Sequence, residues 1–151
     1  MDLIFLMQII ASIATVISVL ILARQMRYMK KAIEVEAFLQ LFNKANDDIF
    51  KECRDYVKYE LKASQPFIDV YNDKESWKKI SQVIYFFEMI GTLIVTNHIS
   101  KLLICEQMGP WITSTWEKLK LFVYSYREET VDHSYGENFE KLAMIISKKK
   151  I

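Results

Sequence analysis

The sequence predicts an all-α protein: one N-terminal transmembrane helix followed by a small cytosolic helical bundle. First, the run from Leu3 to Ala23 holds 21 residues without a single charge. Second, apolar residues after this run recur at steps of three and four, as on the buried face of a helix, and no segment alternates convincingly with the two-residue period of a strand. We therefore divide the chain into a transmembrane anchor at 1–23, a juxtamembrane helix at 24–45 and a cytosolic helical domain at 46–151.

The composition excludes several classes of protein. Two cysteines in 151 residues cannot form a disulfide framework, and a net charge of +1 is not the basic balance of a protein that binds a nucleic-acid polymer. An aromatic fraction of 13% argues against disorder, because it supplies more apolar surface than disordered chains carry. One modest folded domain with an anchor remains.

The apolar run is long enough to cross a bilayer. As a helix its 21 residues extend about 31 Å, and the hydrocarbon core is roughly 30 Å thick. A buried core helix is one alternative, although such helices usually keep a charged stripe. A cleaved signal peptide is the other, but its positive residues precede a shorter apolar core, whereas Asp2 precedes this run.

Four basic residues follow the run and indicate its direction of insertion. Arg24, Arg27, Lys30 and Lys31 have no acidic residue among them, and positive charge favours the cytoplasmic side. We expect the N-terminus outside and the C-terminal domain in the cytoplasm, at the inner membrane if the protein is bacterial. These cations can also contact anionic lipid headgroups, each contributing about 1 kcal/mol, so membrane lipid is an expected partner.

One face of the anchor carries small and polar residues. Gln8, Ala11, Thr15 and Ser18 are spaced three, four and three apart, which places them along one side of a helix. Such a face lets helices approach closely in lipid, and it predicts a homo-oligomer or docking on a larger protein. Two alternatives stay open: the hydroxyls bond their own backbone carbonyls and the pattern is incidental, or several copies line a pore with this face.

The anchor is expected to continue as a helix beyond the membrane, because no glycine or proline occurs between Met1 and Gln65. A break is expected at 43–48, where Asn46 or Asp47 can cap a second helix that Pro66 stops. Before this break an apolar stripe is expected to face a partner. Its members are Met26, Met29, Ile33, Ala37, Leu41 and Phe38.

Capping and helix-breaking residues delimit four more helices. Asn72 and Glu75 have capping-box spacing and open a third helix. A short fourth helix is expected at 100–108, stopped by Gly109, and Pro110 suits the first turn of a fifth. A final helix follows Gly136. The apolar stripe of the third helix comprises Trp77, Ile80, Ile84, Phe87, Gly91 and Ile94, and that of the fifth comprises Ile112, Trp116, Leu119, Val123 and Tyr126.

Short motifs in the cytosolic part suggest a family. They are Tyr85 to Gly91 (YFFEMIG), Gly109-Pro110-Trp111, Trp116-Glu117, Arg127 and Gly136 to Glu140 (GENFE), with Arg54 in the segment CRDYV. In these motifs the chain resembles the uncharacterised membrane-anchored helical proteins named domain of unknown function 4760, over most of its length and including the anchor. The resemblance implies a shared fold but no chemistry, since the family carries no established activity, cofactor or catalytic residues.

Glu88 is the most informative residue of these motifs. It follows three aromatic residues on a helix whose neighbouring positions are expected to be buried, and a buried carboxylate needs a cation or a proton. Arg54 and Arg127 are the candidate partners, because a guanidinium can bind both carboxylate oxygens. We expect an internal ion pair that fixes helix packing; the alternative is an arginine that grips a ligand in a pocket. Gly91 is interpreted as a close helix contact rather than a hinge.

No pattern in the sequence predicts an enzyme, a metal site or a cofactor. His98 and His133 are 35 positions apart, and neither has metal-ligand spacing to Cys53 or Cys105. No nucleophile elbow or phosphate-binding loop occurs. The lysines at 148–150 are expected to be a solvated helix end; contact with lipid or nucleotide, or a dilysine retrieval signal in a eukaryote, are the alternatives.

Two functional hypotheses follow. The first is a non-catalytic, membrane-anchored interaction or accessory module that pairs with itself or with a larger protein. The second is a small membrane effector, of the defence or stress type, whose cytosolic domain senses a ligand such as a nucleotide and rearranges an oligomer to perturb the membrane. The anchor with a polar face, joined to a small folded domain, is compatible with both.

Overall fold

The computed structural model describes residues 3–62 and 66–148, in which all regular secondary structure is helical. The helices are α1 (Leu3–Ala45), α2 (Asp48–Asp55) continuing into a π-helix (Tyr56–Glu60), α3 (Phe67–Tyr71), α4 (Lys74–Val95), α5 (Lys101–Thr130) and α6 (Glu137–Ser147). An apolar N-terminal helix followed by a helical bundle is confirmed. Residue contacts divide the chain into two units, 1–36 and 37–151, so the boundaries at 23 and 45 stay a prediction. Asp2 and the lysines 149 and 150 lie outside the described residues.

The first unit is formed by the part of α1 that precedes Ala37. An 18-residue window of α1 is apolar enough for a membrane span, and none of that window is buried. A buried core helix would be mostly covered, and this window is not. α1 is therefore one helix, near the N-terminus, that is long and apolar enough to cross a membrane.

The last turns of α1 belong to the second unit and correct one prediction. Leu41 and Ala45 are buried, and Ala37 and Phe38 pack against the same core. This half of the stripe expected to face a partner therefore packs within its own domain. The residues nearer the N-terminus, Met26, Met29 and Ile33, are exposed. Periodicity identifies an apolar face but cannot tell whether the neighbour is the same domain or another protein.

α2 begins where the sequence predicted a cap. The Asp47 carboxylate accepts a hydrogen bond from the Ile49 amide at 2.9 Å. The helix then widens, and the π-helix is closed by a hydrogen bond of 2.9 Å from the Leu61 amide to the Tyr56 carbonyl. It ends at Glu60, several residues before Pro66, and the short helix α3 that follows Pro66 is not among the predicted elements.

α4 begins one residue later than predicted. The side chain of Asp73, rather than Asn72, accepts hydrogen bonds from the amides of Glu75 and Ser76. The hydrogen bonds from Ser76 hold the pKa of the Asp73 carboxyl below its ordinary value of 3.8. The predicted face is confirmed, because Ile80, Ile84, Phe87, Gly91 and Ile94 are buried and Trp77 packs against the core.

α5 is one helix, whereas two were predicted. Gly109 is buried beside α6 rather than ending a helix, and Pro110 lies inside the helix. An internal proline costs about 3 kcal/mol, whereas each fully buried large apolar side chain contributes about 1.5–3 kcal/mol. Buried residues continue on both sides of Pro110, so packing outweighs the local break signal. They are Ile104, Met108, Ile112, Trp116, Leu119, Phe122 and Val123.

α6 packs against both α4 and α5 and completes the bundle. Gly136 precedes it with φ +69°, a left-handed conformation that glycine adopts without strain. Phe139 stacks on Phe87 of α4 at a centroid distance of 4.7 Å and meets Trp116 of α5 at 5.0 Å. The position of α6 therefore depends on side chains from both longer helices.

Candidate functional site

The polar face of α1 is exposed, and its hydroxyls bond their own helix. The Thr15 hydroxyl donates to the Ala11 carbonyl at 2.9 Å and the Ser18 hydroxyl to the Ala14 carbonyl at 2.8 Å. This is the arrangement of the backbone-bonding alternative. The hydroxyl oxygens and the side chain of Gln8 still lie on the exposed surface, so the small residues at Ala11 and Ser18 remain open to a close neighbour.

Three of the four basic residues after the apolar run border a shallow hollow on α1. Arg24, Arg27 and Lys31 border a cavity of about 490 Å³ together with Leu20 and Ala23. The Arg24 guanidinium donates to the Tyr28 hydroxyl at 3.2 Å and lies 5.7 Å from the centroid of its ring. Cations and an aromatic ring at the end of an apolar run are typical of a membrane–water interface.

Glu88 caps helix α6, which corrects the predicted ion pair. Its Oε1 accepts hydrogen bonds from the amide and the side-chain nitrogen of Asn138, at 3.1 and 2.8 Å, and its Oε2 accepts from the Phe139 amide at 2.9 Å. These are the second and third residues of α6, whose amides an N-cap side chain usually binds, and Gly136 has no side chain. The positive end of the helix dipole thus takes the place of an arginine.

Gly91 makes this capping possible and is confirmed as a close helix contact. A Cβ atom at Gly91 would lie 2.3 Å from the carbonyl oxygen of Asn138 and 2.6 Å from its carbonyl carbon. Only a residue without a side chain lets the first turn of α6 approach α4 this closely. Glu88 and Gly91, three positions apart on α4, therefore serve the same contact with α6.

Arg127 also holds α6, through a partner that the sequence analysis missed. Its Nη1 donates to Glu140 Oε2 at 2.8 Å and its Nε donates to the Tyr135 carbonyl at 2.8 Å. The side chains of Arg127 and Glu140 are only 15% and 17% exposed. Tyr124 donates to the other oxygen of Glu140 at 2.7 Å, which raises the pKa of its phenol. Glu140 is the last residue of the GENFE motif, so that motif is the sequence feature that could have identified it as the partner of Arg127.

Arg54, the third residue of the expected cluster, lies in a different place. Its guanidinium stands 5.9 Å from the centroid of the Trp111 ring and its Nε is 3.4 Å from Asp55 Oδ1. It lines a cleft of about 860 Å³ between the π-helix and the middle of α5. The remaining residues of the cleft are Val57, Lys58, Tyr59, Val83, Pro110, Ser114, Thr115 and Lys118, with Asp55.

Lys118 connects the two walls of this cleft. Its Nζ donates to the Lys58 carbonyl and, at 3.3 Å, to the Val57 carbonyl. These carbonyls lie in the last turn of the π-helix, where a helix has no further amides to pair with its carbonyls, and an amine with three donors can satisfy two of them. The shape of the cleft is therefore maintained by a hydrogen-bonded bridge from α5 to the π-helix.

The two cysteines differ in their surroundings. Cys53 is buried, its thiol donates to Gln82 Oε1 at 3.1 Å, and burial raises the pKa of the thiol above its ordinary value of 9.0. Cys105 is half-buried. Among residues 3–62 and 66–148, no three His, Cys, Asp or Glu side chains come together as they would around a metal ion.

A comparison with family models covers nearly the whole chain. The model described as Domain of unknown function (DUF4760) matches residues 4–145. The chain belongs to this family. Comparisons with curated proteins and with solved structures give no match. In this DUF4760 chain, Glu88, Gly91 and Arg127 all position α6, and Arg54 and Trp111 meet at the cleft.

Proposed function

We propose that this DUF4760 protein is a non-catalytic, single-pass membrane-anchored helical module, with its N-terminus outside and its bundle in the cytoplasm. The exposed apolar run of α1, followed by Arg24, Arg27, Lys30 and Lys31, is the observation that carries the proposal. Placed in lipid, the run loses its unfavourable contact with water, and the four cations remain on the side that attracts positive charge. The bundle is then held close to the inner leaflet.

Alkaline carbonate extraction of membranes containing the full chain, combined with the intact mass of the protein, tests the anchor. We expect the chain in the membrane pellet with residues 3–23 retained. Recovery in the supernatant would contradict a spanning helix. A mature protein that lacks the apolar run would identify it as a signal sequence.

We further propose that the module associates with itself or with a larger protein through the polar face of α1. Close packing in lipid needs small residues, and Gln8 gains from a hydrogen-bonding partner there by about 0.6–2 kcal/mol. Oxidative cross-linking of Ala11→Cys in membranes tests self-association, with Ile13→Cys on the opposite face as the control. We expect a dimer band for the Ala11 variant and little for the Ile13 variant. Equal cross-linking of both would contradict a specific face.

A second candidate function is a ligand-sensing membrane effector, which the cleft beside Arg54 favours. In that case a ligand in the cytosolic domain rearranges an oligomer and the anchors disturb the bilayer. Expression of the full chain with a dye that reports membrane potential separates the two functions. If the protein is a non-catalytic module, we expect the membrane potential to stay unchanged. Depolarisation that disappears when Gln8, Thr15 and Ser18 are replaced by Leu would support the effector instead.

A further inference from the structure

The cleft between the π-helix and α5 carries an excess of positive charge. Arg54, Lys58 and Lys118 line it, and Asp55 is the one acidic residue among its lining residues. Asp55 is 53% exposed, and its contact with Arg54 is made through Nε at 3.4 Å. The terminal nitrogens of the guanidinium, which can bind two oxygens of a phosphate or carboxylate at once, are outside that contact.

The cleft also has an apolar, aromatic surface, which Trp111 presents from α5, the helix that also carries Lys118. Trp111 packs on Phe86 and Phe87 of the core, at centroid distances of 5.8 and 4.9 Å, so the core holds its ring in place. Ser114 and Thr115 lie one turn further along α5 on the same cleft. The volume of about 860 Å³ falls in the range of sites for small organic ligands, about 300–1,000 Å³. A ligand for this cleft therefore needs both an anionic group and an apolar or flat body.

From this geometry we infer that the cleft is a binding site for a phosphate ester with an apolar or aromatic body. The phosphate contacts Arg54 and Lys58, and the body lies along Trp111. Lys118 maintains the cleft through its bonds to the Val57 and Lys58 carbonyls. The inference deepens the second candidate function, because it names the ligand class and the site, but the site itself does not depend on membrane perturbation.

Binding to the full chain in phosphatidylcholine nanodiscs, measured by calorimetry, tests the site. The probes are AMP, adenosine, inorganic phosphate and dihexanoyl phosphatidic acid. We expect AMP or the short lipid to bind at least about tenfold more tightly than phosphate or adenosine, since both parts of the ligand contribute. Loss of AMP binding on adding phosphatidylglycerol to the nanodiscs would identify the bilayer as the source of the ester, and unchanged binding would identify a soluble ester.

Variants locate the binding to the cleft. Arg54→Gln and Lys58→Gln each remove one cation, and each is expected to weaken binding by about tenfold. Lys58 is exposed, so its variant keeps the test valid even if Arg54→Gln loses structure. Lys141→Gln removes an exposed cation from α6 and is the matched control with unchanged affinity. The inference would be overturned if neither AMP nor the short lipid bound to the unmodified chain. It would also be overturned if Arg54→Gln and Lys58→Gln bound as tightly as Lys141→Gln.

The binding result is separable from the candidate function. AMP binding that depends on Arg54 and Lys58, with membrane potential unchanged, supports the site and removes the effector. Depolarisation in Arg54→Gln equal to that of the unmodified chain would show that membrane perturbation proceeds without the ligand.

Discussion

The approach of α6 to α4 depends on the missing side chain of Gly91, and Gly91→Ala tests this contact directly. The new Cβ would lie 2.3 Å from the Asn138 carbonyl oxygen, whereas ordinary contact begins at 3.4 Å. The obstacle is backbone in the first turn of a helix, so no rotation of a side chain can relieve it. α6 must move away from α4 by about 1 Å.

The cost follows from what this movement breaks. Overpacking costs about 1–3 kcal/mol. A shift of this size also lengthens the bonds of 3.1 and 2.9 Å from the Asn138 and Phe139 amides to Glu88, and each amide left without a partner costs about 1 kcal/mol or more. Alanine in place of glycine within a helix returns about 1 kcal/mol. We expect a net destabilisation of about 2–4 kcal/mol.

Urea denaturation of the full chain in detergent, followed by tryptophan fluorescence, measures this loss. All three tryptophans lie in the second unit, so the signal reports on the bundle. Gly109→Ala is the matched control, because its Cβ would meet only the Ile146 side chain, at 3.3 Å. We expect the control to change stability by less than about 1 kcal/mol. Equal midpoints for the two variants would refute the close contact of α6 with Gly91.

Three further predictions concern groups outside this contact. Glu140→Gln leaves the largely buried guanidinium of Arg127, 15% exposed, without its counter-charge, and we expect a loss of about 3 kcal/mol in urea denaturation; an unchanged midpoint would show that the ion pair is dispensable. Cys105 should react with a thiol reagent at pH 8 well before Cys53, whose pKa is raised by burial, and mass mapping that finds Cys53 modified first would contradict its burial. The pKa of Asp73 is lowered in the folded chain, so the ionised carboxylate stabilises α4 at pH values above 3.8, its ordinary pKa. This stabilisation is lost as the pH falls below 3.8 and the carboxylate takes up a proton. The difference in thermal midpoint between the unmodified chain and Asp73→Asn should therefore shrink below pH 3.8; a constant difference would contradict the cap.

The spacing of apolar residues correctly predicted the helices that bury one face in the bundle. The face of α4 containing Ile80, Ile84 and Phe87 is buried as expected, because a helix in a bundle needs one apolar face. The cap at Asp47 also followed from local chemistry. The glycine and proline at 109 and 110 wrongly predicted a helix end, because the buried side chains before and after Pro110 keep α5 continuous.

The partners of the charged residues could not be predicted in this way. Sequence reasoning paired Glu88 with an arginine because only side chains were considered, whereas its partners are backbone amides at the start of α6. Glu140 is the residue that pairs with Arg127. The spacing of apolar residues does not predict the π-helix or its hydrogen bond with Lys118, because both depend on which helices lie side by side.

The orientation of the chain across a membrane is tested most directly by protease protection of a C-terminal tag in intact cells that express the full protein. We predict that external protease leaves the tag intact and removes it once the membrane is permeabilised. Cleavage of the tag in intact cells would contradict both the cytoplasmic bundle and the role assigned to the four basic residues that follow the apolar run.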